Sequence, residues 1–119
     1  MGGSQEPVLR RGRANFQRSL GSVEAAGGVL ELTNASLTFR PHVVNVTVRS
    51  PVEIPLAEIA SLEPVHQRVF GLIPSPLGNA FIVRGVGGTF AHVIVVWQRD
   101  AWLAAISDAM ARARATTWT

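Results

Sequence analysis

The fold is decided by residues 89–110, TFAHVIVVWQRDAWLAAISDAM, where one periodicity of apolar residues gives way to another. Residues 89–96 are apolar almost throughout, which is typical of a strand buried in the centre of a sheet. From Asp100, the predicted N-cap, apolar residues recur at the spacing of one helix face. That face consists of Trp102, Leu103, Ile106, Met110 and Ala113. The stretch therefore predicts a last, central strand followed by one C-terminal amphipathic helix.

Upstream of this stretch, short apolar segments with a two-residue period are separated by turn residues, which indicates strands. Asn34 is predicted to adopt the left-handed conformation of a tight hairpin, and the glycines of 85–88 to form another turn. Seven segments are predicted strands: 14–20, 29–33, 36–40, 44–48, 59–65, 80–84 and 89–96. A further segment, 52–56, contains a proline and is either an edge strand or a corner. A lone helix after such a run must bury its apolar face on the sheet. We therefore expect a mainly β fold: a bent seven-stranded antiparallel sheet, or partly open barrel, capped by the helix.

The chain is long enough for one domain, since 119 residues would not fill two cores. Hydrophobic residues make up 47% and charged residues 16%, a globular composition. The pattern divides the chain into a flexible arm (1–12), the folded domain (13–115) and a short tail (116–119).

Several kinds of chemistry are excluded or disfavoured by composition. The chain has no cysteine, which excludes disulfides, thiolate catalysis and cysteine-ligated zinc. Its histidines, His42, His66 and His92, lie on separate segments without metal-ligand spacing, so structural roles are favoured. We expect no cofactor, no metal and no catalytic activity. A cavity lined by Arg40, His42 and Arg84 would instead indicate a small-ligand site or an enzyme.

The net charge is only +3, yet the pI is near 11.3. The two values agree because the chain has arginine but no lysine, and arginine keeps its charge to a higher pH than lysine does. The pI is therefore weak evidence for nucleic-acid binding, which we do not expect. The longest apolar stretches fall short of the ~20 residues that a membrane-spanning helix needs, and the first residues do not resemble a secretory signal. These features predict a cytoplasmic protein that reaches a membrane at most peripherally.

An ordered set of motifs resembles GRAM domains and related bacterial PH-like domains. The motifs are GGVLELT (27–33), LTFRPH (37–42), IPLAEI (54–59), the glycine turn 85–88 before Thr89-Phe90, and DAWLAAI (100–106). The resemblance covers about residues 13 to 114. It implies a PH-like fold and a non-catalytic role in binding lipid headgroups or proteins.

The phosphate-binding residues that the resemblance implies are incomplete. PH domains that hold phosphoinositides place basic residues at the end of the first strand and the start of the second. Arg18 fits the first position, but the loop carries Glu24, the second strand carries Glu31, and the glycine turn has no cation. Lipid binding therefore becomes the second hypothesis and protein binding the first.

Two groups of residues are candidate binding sites. The candidate anion- or lipid-binding residues are Arg10, Arg11, Arg13, Arg18 and Arg40. They either contact anionic headgroups, each contributing ~1 kcal/mol, or remain solvated. The candidate partner-binding loop contains Phe70, Leu72, Ile73 and Leu77. This loop either docks a protein partner or a second copy of the chain, or folds back over the open end of the sheet.

Overall fold

The computed structural model describes residues 7–17, 26–42, 51–65 and 80–118. In these segments seven strands form one antiparallel sheet in the order β4-β3-β2-β1-β7-β6-β5. The elements are β1 (Arg10–Gln17), β2 (Ala26–Leu32), β3 (Ser36–Pro41), β4 (Val52–Pro55), β5 (Ile59–Val65), β6 (Ala80–Gly85), β7 (Ala91–Val96) and α1 (Arg99–Trp118). The sheet curls into a half-barrel with one C-terminal helix, so the predicted fold class is confirmed.

The core lies on the inner, concave face of the sheet. Phe16, Leu30, Phe39, Phe81 and Ile94 come from five different strands, and each is at most 1% exposed. Burying one such side chain contributes about 1.5–3 kcal/mol relative to leaving it in water. Because side chains alternate along a strand, every second residue lies on the opposite, outer face.

Helix α1 packs its apolar stripe against β7 and the 3₁₀ turn Leu56–Glu58. Trp102, Ile106 and Met110 of the predicted stripe are buried, and so is Ala109, which the prediction did not include. On the other side of the helix, Arg112 forms an ion pair with Asp108. Within the described segments, no helix is both long and apolar enough to span a bilayer.

The two short hairpin turns are built differently. The turn after β6 uses positive φ angles of 70° at Gly87 and 74° at Gly88, as predicted for a glycine turn. The β2–β3 turn instead uses the Thr33 hydroxyl, which accepts hydrogen bonds from the backbone N–H groups of Ala35 and Ser36, both at 3.1 Å. Asn34 has no positive φ, so its predicted left-handed conformation is wrong. The threonine satisfies the turn's N–H groups without it.

Several predicted boundaries are wrong by a few residues. Strand β1 begins at Arg10, so the last three residues of the predicted arm are paired with β2. Helix α1 begins at Arg99, which places Asp100 in the first turn and not at the N-cap. It continues to Trp118 through most of the predicted tail. The predicted strand 44–48 and the end of 14–20 lie outside the described residues.

Candidate functional site

The outer face of β1–β4 carries a row of polar side chains. Antiparallel pairing aligns Arg11, Glu31, Thr38 and Glu53 as successive cross-strand partners. This row therefore places an arginine, a carboxylate, a hydroxyl and a second carboxylate side by side.

Glu31 is the centre of the most tightly bonded group on this face. Its side chain accepts hydrogen bonds from Nε of Arg11 at 2.8 Å and from Nε of Arg40 at 3.3 Å, and a second Arg11 nitrogen also contacts it. Glu31 is only 8% exposed, although it lies on the outer face. The hydrogen bond from Arg11, followed by that from Arg40, holds the pKa of Glu31 below its ordinary value, although burial opposes the shift. We call Arg11, Glu31 and Arg40 the Glu31 cluster.

Beside the Glu31 cluster, two hydroxyl side chains form a polar floor. Ser36 and Thr38 are 7% and 8% exposed, and their hydroxyl oxygens lie 3.5 Å apart. They line a groove of about 650 Å³ together with the cluster, Thr33, Pro51 and Glu53. The groove therefore carries charges of both signs, which does not favour a purely anionic ligand.

Arg10 lies on the opposite side of the sheet from Arg11, Arg13 and Arg40. Its guanidinium carbon lies 5.2 Å from the ring centre of Trp102, and its Nη2 donates to Oε1 of Gln98 at 3.0 Å. This is a cation–π contact that holds the start of β1 against α1. Arg10 therefore contributes to packing, and its place in the predicted anion-binding set stays a prediction. Arg18 lies outside the described residues.

Arg13 lies in a second, smaller depression on the outer face. This open depression has a volume of about 260 Å³ and is bordered by β1, β2 and the end of β3. Its lining includes Arg13, Asn15, Gly27 and His42. In the described part of the chain Arg13 has no ion pair, and no carboxylate lines the depression. We call these four residues the Arg13 depression. Its charge is uncompensated, unlike that of Arg11 and Arg40.

Trp97 is the most exposed of the large apolar side chains in the described segments, at 62%. It follows Val96, whose cross-strand partner is Ala14, the residue after Arg13. Trp97 and Arg13 therefore flank the same last pair of the β1–β7 ladder. Val8 and Leu9, which are 47% and 42% exposed, lie at this same end of the sheet because β1 begins where β7 finishes.

The outer face of β6 and β7 is apolar instead. Ile82 and Val93 are buried, and they pack against the partly buried Ala80 and Ala91. At its margin Arg84 donates from Nε to Oε2 of Glu63 at 2.6 Å. Arg84 is thus a compensated cation separated from Arg40 by several strands, and the cavity of Arg40, His42 and Arg84 considered from the sequence does not form.

The histidines in the described segments lie on different faces. His92 packs on the inner side, with its ring centre 4.9 Å from that of Phe16 and 4.8 Å from that of Phe90. His42 is exposed on the outer side in the Arg13 depression. His66 falls outside the described residues, and among those described no three His, Asp or Glu side chains are grouped to hold a metal ion.

The predicted partner-binding loop cannot be placed, since Phe70, Leu72, Ile73 and Leu77 lie outside the described residues. Sequence reasoning missed Trp97 and Asn15 as surface candidates. Trp97 ends an apolar strand and therefore has the pattern of a core residue. Gly27 lies between Asn15 and His42 in the strand register, and a glycine within a strand does not by itself predict a surface depression.

Comparisons with known proteins identify the fold but no family. No family model matches the chain, and no curated protein matches it. Among solved structures, the C-terminal domain of an unknown protein from Leishmania infantum matches with a TM-score of 0.67 and 16% identity. The match covers 88% of this chain and 84% of that one. At this identity it supports the fold alone, and the resemblance to GRAM domains stays a prediction.

Proposed function

We propose that this domain is a non-catalytic binding module that binds a protein partner on the outer face of β1–β3 and β7. The observation that carries the proposal is the 62% exposure of Trp97, which flanks the last pair of the β1–β7 ladder together with Arg13, an arginine that has no ion pair among the described residues. Tryptophan and arginine are the residue types most enriched among the side chains that dominate protein–protein binding energy. The predicted membership of the GRAM and bacterial PH-like group fits this role, as does a cytoplasmic location.

The charge balance of the face favours a protein over a membrane. Arg11 and Arg40 share the carboxylate of Glu31, and Glu53 adds a second negative charge in the groove. Among the described residues, Arg13 is then the one arginine of the outer face of β1–β3 without a carboxylate partner. One basic residue near an anionic surface contributes about 1 kcal/mol, too little for stable membrane association. A folded partner can use the mixed charges, the hydroxyls and Trp97 together.

A catalytic role is disfavoured by the state of the one buried carboxylate described. Glu31 is held by two arginines and has a lowered pKa, so it is a weak base at neutral pH. Of the two histidines that the structure describes, neither lies beside the hydroxyls of Ser36 and Thr38, since His42 lies in the other depression and His92 on the inner face. These arrangements suit binding better than proton transfer.

A photo-crosslinking experiment tests the proposal. A benzophenone amino acid replaces Val29, the cross-strand partner of both Arg13 and Arg40, in the full chain. A matched control places it at Ala111, which is exposed on the helix. We expect a discrete protein adduct from position 29 in extracts of the source cells, none from position 111, and a several-fold lower yield after Trp97→Ala.

The mass of the adduct identifies the partner class. An adduct of twice the mass of the chain means that the partner is a second copy, which retains the proposal in its self-association form. Equal adducts from positions 29 and 111, or a yield that Trp97→Ala leaves unchanged, would overturn it. Sedimentation of the domain with phosphatidylserine vesicles, without any protein adduct, would overturn it in favour of the lipid hypothesis.

A further inference from the structure

We propose that the Arg13 depression binds a phosphate monoester group carried by the protein partner. This inference rests on the proposed function and names the chemistry that the partner presents there. The supporting observations are the shape of the depression, its hydrogen-bond donors and the absence of a compensating carboxylate.

The shape comes from a glycine on the middle strand. Asn15 pairs with Gly27 in the β1–β2 register, and the backbone N–H of His42 donates to the carbonyl of Gly27 at 3.1 Å. A Cβ atom at Gly27 would have a single neighbour within 4 Å, Oδ1 of Asn15 at 3.3 Å. The floor between Asn15 and His42 is therefore bare. A water occupies about 30 Å³ of liquid, so about 260 Å³ has room for an anion of several heavy atoms.

Side chains with hydrogen-bond donors lie on either side of this bare floor. Arg13 offers the guanidinium fork, which matches the oxygen spacing of phosphate. His42 offers a ring N–H in either neutral tautomer, and Asn15, whose Oδ1 is the atom nearest Gly27, offers its NH₂ group once the amide turns over. The three side chains lie on β1 and at the end of β3, on either side of the Gly27 backbone. A tetrahedral anion can engage all three, whereas a planar carboxylate has only two oxygens to share among them.

The electrostatics distinguish this depression from the groove beside it. In the groove, Arg11 and Arg40 share the single negative charge of Glu31, and Glu53 supplies a second carboxylate in the lining. Within the segments that the structure describes, no carboxylate lines the Arg13 depression and Arg13 makes no ion pair. A phosphate monoester, which carries roughly 1.5 to 2 negative charges at pH 7, would pair with the positive charge of Arg13 there.

The test is a titration of the ¹⁵N-labelled full chain with inorganic phosphate and then with O-phosphoserine, at constant ionic strength with chloride as the reference. We expect saturable NMR shifts at the Gly27 amide and at the Asn15 side-chain amide. Arg13→Gln should weaken binding about tenfold or more, because hydrogen bonds to charged groups are among the strongest in proteins. Arg84→Gln, a cation on the same sheet face that is already paired with Glu63, should leave binding unchanged.

The outcomes separate this inference from the proposed function. Shifts that chloride reproduces, or that Arg13→Gln leaves intact, would overturn the phosphate site. If the adduct at position 29 still forms in that case, the protein-binding function stands without it. If O-phosphoserine gives no shift while phosphatidylserine vesicles shift the same amides, the depression binds a lipid headgroup and the inference is wrong.

Discussion

The Glu31 cluster and the Arg13 depression lie beside each other on one sheet face, yet they hold their charges in opposite ways. In the cluster, two arginines converge on a carboxylate that is 8% exposed. In the depression, one exposed arginine faces a bare glycine floor without a carboxylate. The charged groups of the cluster are paired with one another within the fold. The depression instead has an arginine without an ion pair among the described residues, and space for a ligand.

This difference shows why a count of arginines is a poor measure of anion binding. Of the arginines singled out from the sequence, Arg10 packs on Trp102, and Arg11 and Arg40 are bonded to Glu31. Only Arg13, among those described, combines exposure with the lack of a partner. Stability should therefore depend on the cluster, and ligand binding on the depression.

The largest expected effect on stability comes from a substitution at Gly28. A Cβ atom at Gly28, which points inward, would collide with the backbone carbonyl of Arg40 and lie 2.8 Å from Cζ of Phe39. Because backbone must move to make room, Gly28→Ala should lower the free energy of unfolding by about 3 kcal/mol. Urea denaturation followed by circular dichroism measures this.

The matched control for that substitution is Gly12→Ala on β1. There the new Cβ would meet the Trp102 ring at an ordinary contact distance of 3.4 Å. The change should stay within about 1 kcal/mol. Equal losses at the two glycines would contradict the packing described at Gly28.

The second expected effect concerns the Glu31 cluster. Glu31→Ala removes the acceptor that Arg11 and Arg40 share and leaves two like charges near each other, so it should cost about 2 kcal/mol of stability. Glu58→Ala is the control, since Glu58 is exposed and forms no ion pair among the described residues. It should change stability by less than about 0.5 kcal/mol. A similar cost at both positions would show that the cluster contributes nothing specific.

The fold was predictable because its signals are local. Two-residue alternation and the change to helical spacing at Asp100 depend on neighbouring residues alone, and both were confirmed. The start of β1 was missed because its first residues do not alternate. Strand alternation places Arg10 on the inner face, where its guanidinium packs on the ring of Trp102, a residue far away in sequence.

The site was less predictable because it depends on register. That Arg11 faces Glu31, and that Gly27 lies between Asn15 and His42, follows from how β1, β2 and β3 align. Turn geometry and distant packing set that alignment, and no single segment encodes it. The candidate loop around Phe70 stays a prediction.

The third prediction uses pH to isolate the Glu31 cluster. A carboxylate whose pKa is lower in the folded chain stabilises the fold above its unfolded pKa, near 4.5, and loses this contribution as the pH falls toward the folded value. Between pH 6 and pH 3, the wild-type chain should therefore lose more stability than Glu31→Gln, whose amide does not titrate. Urea denaturation at the two pH values measures the difference. Equal losses would mean that the arginines do not hold the carboxylate in its charged form.

The smallest expected effect on stability belongs to the floor of the Arg13 depression. Gly27→Ala adds a methyl group over the bare floor, where its one close neighbour is the flexible amide of Asn15 at 3.3 Å. Because a side chain can move more easily than backbone, the free energy of unfolding should change by less than about 1 kcal/mol. The added methyl group occupies the space between Asn15 and His42, so binding of inorganic phosphate should weaken several-fold. A variant that unfolds like Gly28→Ala would show that Gly27 is a packing residue. One that keeps full phosphate affinity would show that the anion does not reach the floor.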